Sequence, residues 1–137
     1  MTSVELSAGI VEYTDTGGDG PVLVLLHGLM MDASLWDGVI AGLSASELRC
    51  VAPTLPLGAH RHPMRPGFEL SLRGIAQLVA EFTDRLDLTD VTLAGNDTGG
   101  ALLPDGRLVE VEDSYTLIPL DQPARLASII REFTSAR

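Results

Sequence analysis

Cysteine is nearly absent from this 137-residue chain, with Cys50 the one example, so neither a disulfide framework nor a cysteine-based metal site is possible within it. Cys50 sits in the apolar run CVAP and reads as a buried strand residue rather than a reactive thiol. Basic residues are also scarce. Nine Lys and Arg stand against nineteen Asp and Glu, a formal charge of -10, which repels phosphate backbones and anionic lipid at long range and argues against nucleic acid or a membrane surface as partner. No apolar run approaches the roughly 18 residues of a membrane helix. The start, MTSVELSAGI, lacks the basic and apolar regions of a secretion signal, which sets a cytoplasmic expectation. Histidine is rare too: His27, His60 and His62 all precede residue 63.

What is present suffices for one folded domain over 1–137, since 45% of the residues are hydrophobic and a chain of this length buries roughly two thirds of its unfolded surface. Segments 4–6 and 10–13 flank Ser7-Ala8-Gly9 and predict an antiparallel hairpin. Val22–Leu26 is apolar without alternation, as in a parallel strand covered on both faces. Trp36, Val39, Ile40 and Leu43 follow at helical spacing, with Ser34 as the expected N-cap and Trp36 as a core residue. Arg49–Pro53 predicts a second buried strand, and the Pro- and Gly-rich TLPLGAHRHPMRPG a long loop that carries His60 and His62 in solvent. Ser71 is expected to cap a helix striped with Leu72, Ile75, Val79, Phe82 and Leu86, and a third strand is expected over 91–94. The remainder predicts a strand over 108–111, with Glu110, Glu112 and Asp113 on its wet side, and a helix capped at Asp121 with Pro123 in its first turn. Alternating strands and helices argue for an α/β fold: a mostly parallel sheet with helices on both faces. The strand at 108–111 is expected beside that at 91–94, and the helix after Asp97 to span at most about two turns.

In such a sheet the loops leaving the carboxyl ends of the strands gather on one rim, where ligands bind. One of them is Gly95-Asn96-Asp97-Thr98-Gly99-Gly100, a potential nucleophile flanked by small residues straight after a strand. The glycines permit a sharp strand-to-helix turn that larger side chains would obstruct. From its position alone, Asp97 fits either a nucleophile or a cap of the helix that follows. His27 reads as an architectural residue that hydrogen-bonds its loop.

Together VLVLLHGLMMDASLW, GNDTGGAL and EDSYTLIPLDQPARLASIIREF resemble landmarks of the α/β-hydrolase fold family, in its aspartate-nucleophile branch of epoxide hydrolases and haloalkane dehalogenases. By this resemblance 1–101 corresponds to the N-terminal half through the nucleophile elbow, and 102–137 to the final strand and helix. The resemblance implies a hydrolase acting on a small organic substrate, without cofactor or metal. Asp97 would be the nucleophile, the backbone N–H groups of Leu29 and Thr98 the oxyanion hole, and His27-Gly28 the support of its loop.

The chain departs from that family at several points. No histidine follows Asp97, and Tyr115 or a neighbour stands where the family's base is sought, leaving His60 or His62 as possible replacements. Asp105, Glu110 and Asp113 are candidate acids with no histidine to orient. Family dehalogenases place Trp after the nucleophile and Asn after the His-Gly pair, where this chain has Thr98 and Leu29. The cap that covers the substrate in the family has no counterpart between Ala101 and Gly106, so the resemblance implies an internal truncation and weak or absent turnover. The alternative is a non-catalytic remnant that binds small apolar ligands or associates with a second copy.

Overall fold

A computed structural model describes residues 2–43, 47–103, 106–112, 114 and 116–135. Strands β1 (Thr2–Glu5) and β2 (Ile10–Asp15) form the hairpin, with Glu5 opposite Ile10 and paired backbone hydrogen bonds between Leu6 and Gly9 closing the turn. Three further strands follow: β3 (Val22–Leu26), β4 (Arg49–Pro53) and β5 (Thr92–Gly95). The sheet order is β1-β2-β4-β3-β5, with β3 parallel to both β4 and β5 and the hairpin antiparallel at one side. This is the α/β architecture the alternation of elements leads one to expect.

Strand β3 explains its own lack of alternation. Val24 and Leu26 point to one face, where they meet Val51, Tyr13 and the helix α2 (Leu72–Arg85); Leu23 and Leu25 point to the other. On that second face lie Trp36, the short helix α1 (Asp37–Ala41) and the C-terminal helix α5 (Pro123–Ser135). Because successive strand side chains alternate in direction, a strand covered on both sides must be apolar throughout. Cys50 is buried in β4, and burial pushes its thiol up to about 11. Among the described residues no helix is long and apolar enough to cross a membrane.

Ser71 caps α2 as expected, its hydroxyl accepting from the Gly74 N–H at 3.0 Å. The stripe of α2 differs in detail. Leu72, in the first turn, is exposed, while Leu78 joins Ile75, Val79 and Phe82 in the core. Before α1 the cap is Asp32 rather than Ser34: the chain opens with a 3-10 turn, Ala33–Trp36, and Asp32 accepts the Ser34 N–H at 2.9 Å. The Ser34 hydroxyl also donates to that carboxylate, and these bonds hold it below the usual carboxylate range. Asp121 is likewise not the cap of the last helix. It ends a separate turn of helix, α4 (Ile118–Asp121), and α5 starts at Pro123, whose fixed φ and missing N–H suit a first helical position.

The predicted strand at 108–111 does not form. Residues 106–112 have no regular structure, Leu108 is 86% exposed, and among the described residues β5 pairs with β3 alone. A parallel return needs a crossover of about a dozen or more residues, and the stretch between Gly95 and Arg107 falls just short of it while also holding the helix α3 (Thr98–Ala101). That helix, a single turn, is within the two-turn limit expected. Asp105, Asp113 and Tyr115 lie outside the described residues.

Phe82 links α2 to the sheet. It is fully buried and meets the Tyr13 ring edge-on, with centroids 5.4 Å apart and planes at 79°. Phe82→Ala removes that contact and leaves a cavity, so urea unfolding should report a loss of about 3–5 kcal/mol.

Candidate active site

Three loops leave the carboxyl ends of β3, β4 and β5 and are tied to one another by backbone contacts. The Asn96 N–H donates to the Leu26 carbonyl at 3.0 Å, the Met30 N–H to the Leu57 carbonyl at 2.8 Å, and the Ala33 N–H to the Thr54 hydroxyl at 3.1 Å. His27 stands at their centre, fully buried. Its Nδ1–H donates to the Gly28 carbonyl at 2.8 Å and its Nε2 accepts the Leu55 N–H at 2.8 Å. Both ring nitrogens are thereby committed to backbone, as an architectural role requires. Burial, outweighing the Gly28 bond and the Asp32 charge, holds the imidazole below its ordinary value.

The turn after β5 is as sharp as the sequence leads one to expect. Asp97 has φ 56° and ψ -123°, a left-handed backbone that a side-chain-bearing residue adopts at a cost of about 1–3 kcal/mol. A Cβ on Gly95 would collide with the backbone of Gly99 and Gly100, and one on Gly99 with the carbonyls of Leu26 and His27. Gly100 has more room, its nearest neighbour being the Gly95 carbonyl at 3.4 Å. Asp97 occupies the position before α3 but its carboxylate makes no capping hydrogen bond, so the helix-cap reading does not account for it. The side chain is exposed and lies against Gly28, where an added Cβ would come within 2.8 Å of both its Cβ and Oδ2. Gly28 therefore leaves the space that the carboxylate fills.

Among the described residues neither the Leu29 nor the Thr98 N–H has a backbone acceptor. Leu29 is exposed and Thr98 half-buried. Beside Asp97 opens a cavity of about 1100 Å³, walled by β5, α5, Trp36 and part of 106–111. His60 and His62 are half-buried in the loop after β4 and do not line it. Between them Arg61 makes a bidentate ion pair with Glu12, at 3.0 and 2.7 Å, which holds the Glu12 carboxyl below its ordinary value. Glu110 is exposed and belongs to a second, smaller cleft with Glu112 and Arg125. Among the described residues no cluster of three His, Cys, Asp or Glu side chains is placed to hold a metal ion. Sequence reasoning passed over Asn96. It is buried beside Asp97, its Nδ2–H donates to the Thr116 carbonyl at 3.2 Å, and its one signal was adjacency to the elbow.

This fold has counterparts. A profile of the Alpha/beta hydrolase family matches residues 23–136, and the chain belongs to that family. It is 38% identical over 90 residues to the magnesium-chelatase 30 kDa subunit of Rhodobacter capsulatus, covering 64% of this chain and 31% of that protein. It is 29% identical over 92 residues to a haloalkane dehalogenase of Mesorhizobium japonicum, covering 67% of this chain and 29% of the relative. The chain thus spans less than a third of these relatives' length. The crystal structure of an epoxide hydrolase from Vigna radiata shares the fold with a TM-score of 0.64 at 24% identity, over 74% of this chain and 32% of that one.

His27 makes stability depend on pH. The unfolded chain takes up a proton at its imidazole near pH 6.5, while the folded state resists it because Nε2 is occupied and the ring is buried. Stability is therefore full above that pH and declines as the pH falls below it toward the folded-state value. Thermal melting between about pH 7.5 and pH 5.5 should show the midpoint dropping, and His27→Gln should lower the midpoint overall while flattening its fall.

Proposed function

We propose that Asp97 is the nucleophile of an alkyl-transfer site that acts on small epoxides or alkyl halides. The observation that supports this best is the strained turn itself: a carboxylate held at φ 56°, with no capping bond, at the mouth of a cavity. Strain kept at one residue by its surroundings is characteristic of functional sites. A carboxylate oxygen attacks the sp³ carbon, the carbon–halogen or epoxide carbon–oxygen bond breaks, and the Asp97 ester forms with release of halide or, from an epoxide, with an open-chain alkoxide that takes a proton from water. The N–H groups of Leu29 and Thr98, supported by His27-Gly28, are proposed to bind the negative oxygen that develops when water attacks that ester. The likeness to a haloalkane dehalogenase agrees with this chemistry.

The second half-reaction is slow in this proposal. Cleavage of the ester needs an activated water. No histidine follows Asp97, and neither His60 nor His62 lines its cavity. Loss of general-base assistance costs roughly 10²- to 10⁴-fold. The ester should then accumulate: incubation with an epoxide should add one whole epoxide mass to the intact protein, incubation with an alkyl halide one substrate mass less hydrogen halide, and peptide mapping should place it on Asp97. Asp97→Ala should abolish the added mass. Neither adduct nor turnover in the parent chain would instead favour the non-catalytic remnant, and rapid turnover lost in His60→Ala or His62→Ala would make a loop histidine the base.

Self-association is a second reading, favoured by the cavity side of β5. Among the described residues that strand has one ladder partner, and exposed Leu108, Val109 and Phe133 border the same opening. Light scattering should give a mass above that of the monomer as concentration rises; a clean monomer throughout would remove this reading.

A further inference from the structure

A strand edge and a strand-like segment border one opening without pairing. Along 93–95 the outer edge of β5 has no ladder partner among the described residues, and an uncovered edge is a template for a further strand. Segment 106–112 has a strand's composition, with Val109 and Val111 alternating with Leu108, Glu110 and Glu112. Yet 106–110 are exposed, and among the described residues no backbone-to-backbone hydrogen bond joins 106–112 to the rest of the protein. Residues of both β5 and the segment line the cavity beside Asp97.

The link between them keeps them apart. The chain from Gly95 to Arg107 also holds α3, and it falls short of the crossover that would lay the segment parallel to its own β5. A second copy is free of that limit, and a short hinge between two elements favours their exchange between copies. We propose that two copies exchange segment 106–112, each adding it as a strand to the β5 edge of the other. This deepens the self-association reading, on which it rests, and is independent of chemistry at Asp97. A two-fold axis normal to the sheet sets the two β5 strands antiparallel, so a segment that only reverses direction after its own β5 runs parallel to the partner's. Each segment then lies two strand spacings, about 10 Å, from its own β5. Thr116 is held by Asn96 at the end of β5, and the links from Leu103 to Arg107 and from Glu112 to Thr116 each reach up to about 13 Å when extended. Charge permits the approach. The charged groups around the opening are Asp97 and Glu132 against Arg107 and Arg125, which balance although the chain carries a formal -10. Exchange replaces each segment with an identical one, so the balance is kept, and it covers Leu108, now 86% exposed.

Multi-angle light scattering on the parent chain should give twice the monomer mass as concentration rises. Two variants then separate exchange from simple adhesion. Val109→Pro with Glu110→Pro removes one N–H from each side of the segment, and should halve the mass to that of the monomer. Its circular dichroism and melting should match the parent's, because the segment is unpaired in the monomer. Inserting eight Gly and Ser residues after Leu103 lengthens the link enough for the segment to pair with its own β5, and should also yield monomer. Should the proline variant not fold, the insertion decides alone. A dimer that survives either change overturns the exchange while leaving simple self-association standing. A parent chain that stays monomeric overturns both, and neither result bears on the Asp97 adduct, which is read by mass.

Discussion

The close approach of the turn after β5 to the end of β3 is the contact on which this rim is built. Gly99 lies so near the carbonyls of Leu26 and His27, and Gly95 so near Gly99 itself, that no side chain fits at either position. The same approach brings the Asn96 N–H onto the Leu26 carbonyl and the Asp97 carboxylate against Gly28. Three glycines thus convert two neighbouring parallel strands into a rim on which one carboxylate is held outward. The local backbone cost at Asp97 is offset by the ladder and the two cores that surround it.

Histidine and aspartate divide their tasks on this rim. His27 is buried and saturated with backbone hydrogen bonds, and it joins the loop after β3 to the loop after β4. A ring whose two nitrogens are both engaged in this way holds structure and has no lone pair left for proton transfer. Asp97 has the opposite character, exposed and without a capping bond. The contrast follows from position, since the last residues of β3 are covered on both faces whereas the turn after β5 projects beyond the sheet.

The sheet is finished on one side and open on the other. The β1-β2 hairpin closes the first side by local pairing, which a short turn is enough to produce. At the other side β5 has a neighbour only in β3 among the described residues, and the space beyond it is the cavity walled by α5 and 106–111. Helix α5 stays on its face of the sheet because Ala127 and Ile130 pack with Leu23, Leu25 and Trp36, independently of any strand leading into it.

The sequence by itself determined the features governed by local pattern. Unbroken apolar runs marked β3 and β4, the Ser71 cap and its stripe marked α2, and Gly95 and Gly99 around Asp97 marked the sharp turn. These are legible because hydrophobic period, capping chemistry and glycine's lack of a Cβ act within a few residues. Tertiary structure alone decided the rest. The alternation at 108–111 reads as a strand, yet a strand exists only when a neighbour supplies its hydrogen bonds, and the short link denies it one. Asp32 displaced Ser34 as a cap because the chain enters α1 through a 3-10 turn that begins at Ala33, two residues earlier than a Ser34 cap implies. That Trp36 and Asn96 border the same cavity was also invisible beforehand, because they are far apart in the chain and only the folded sheet and α5 enclose that space.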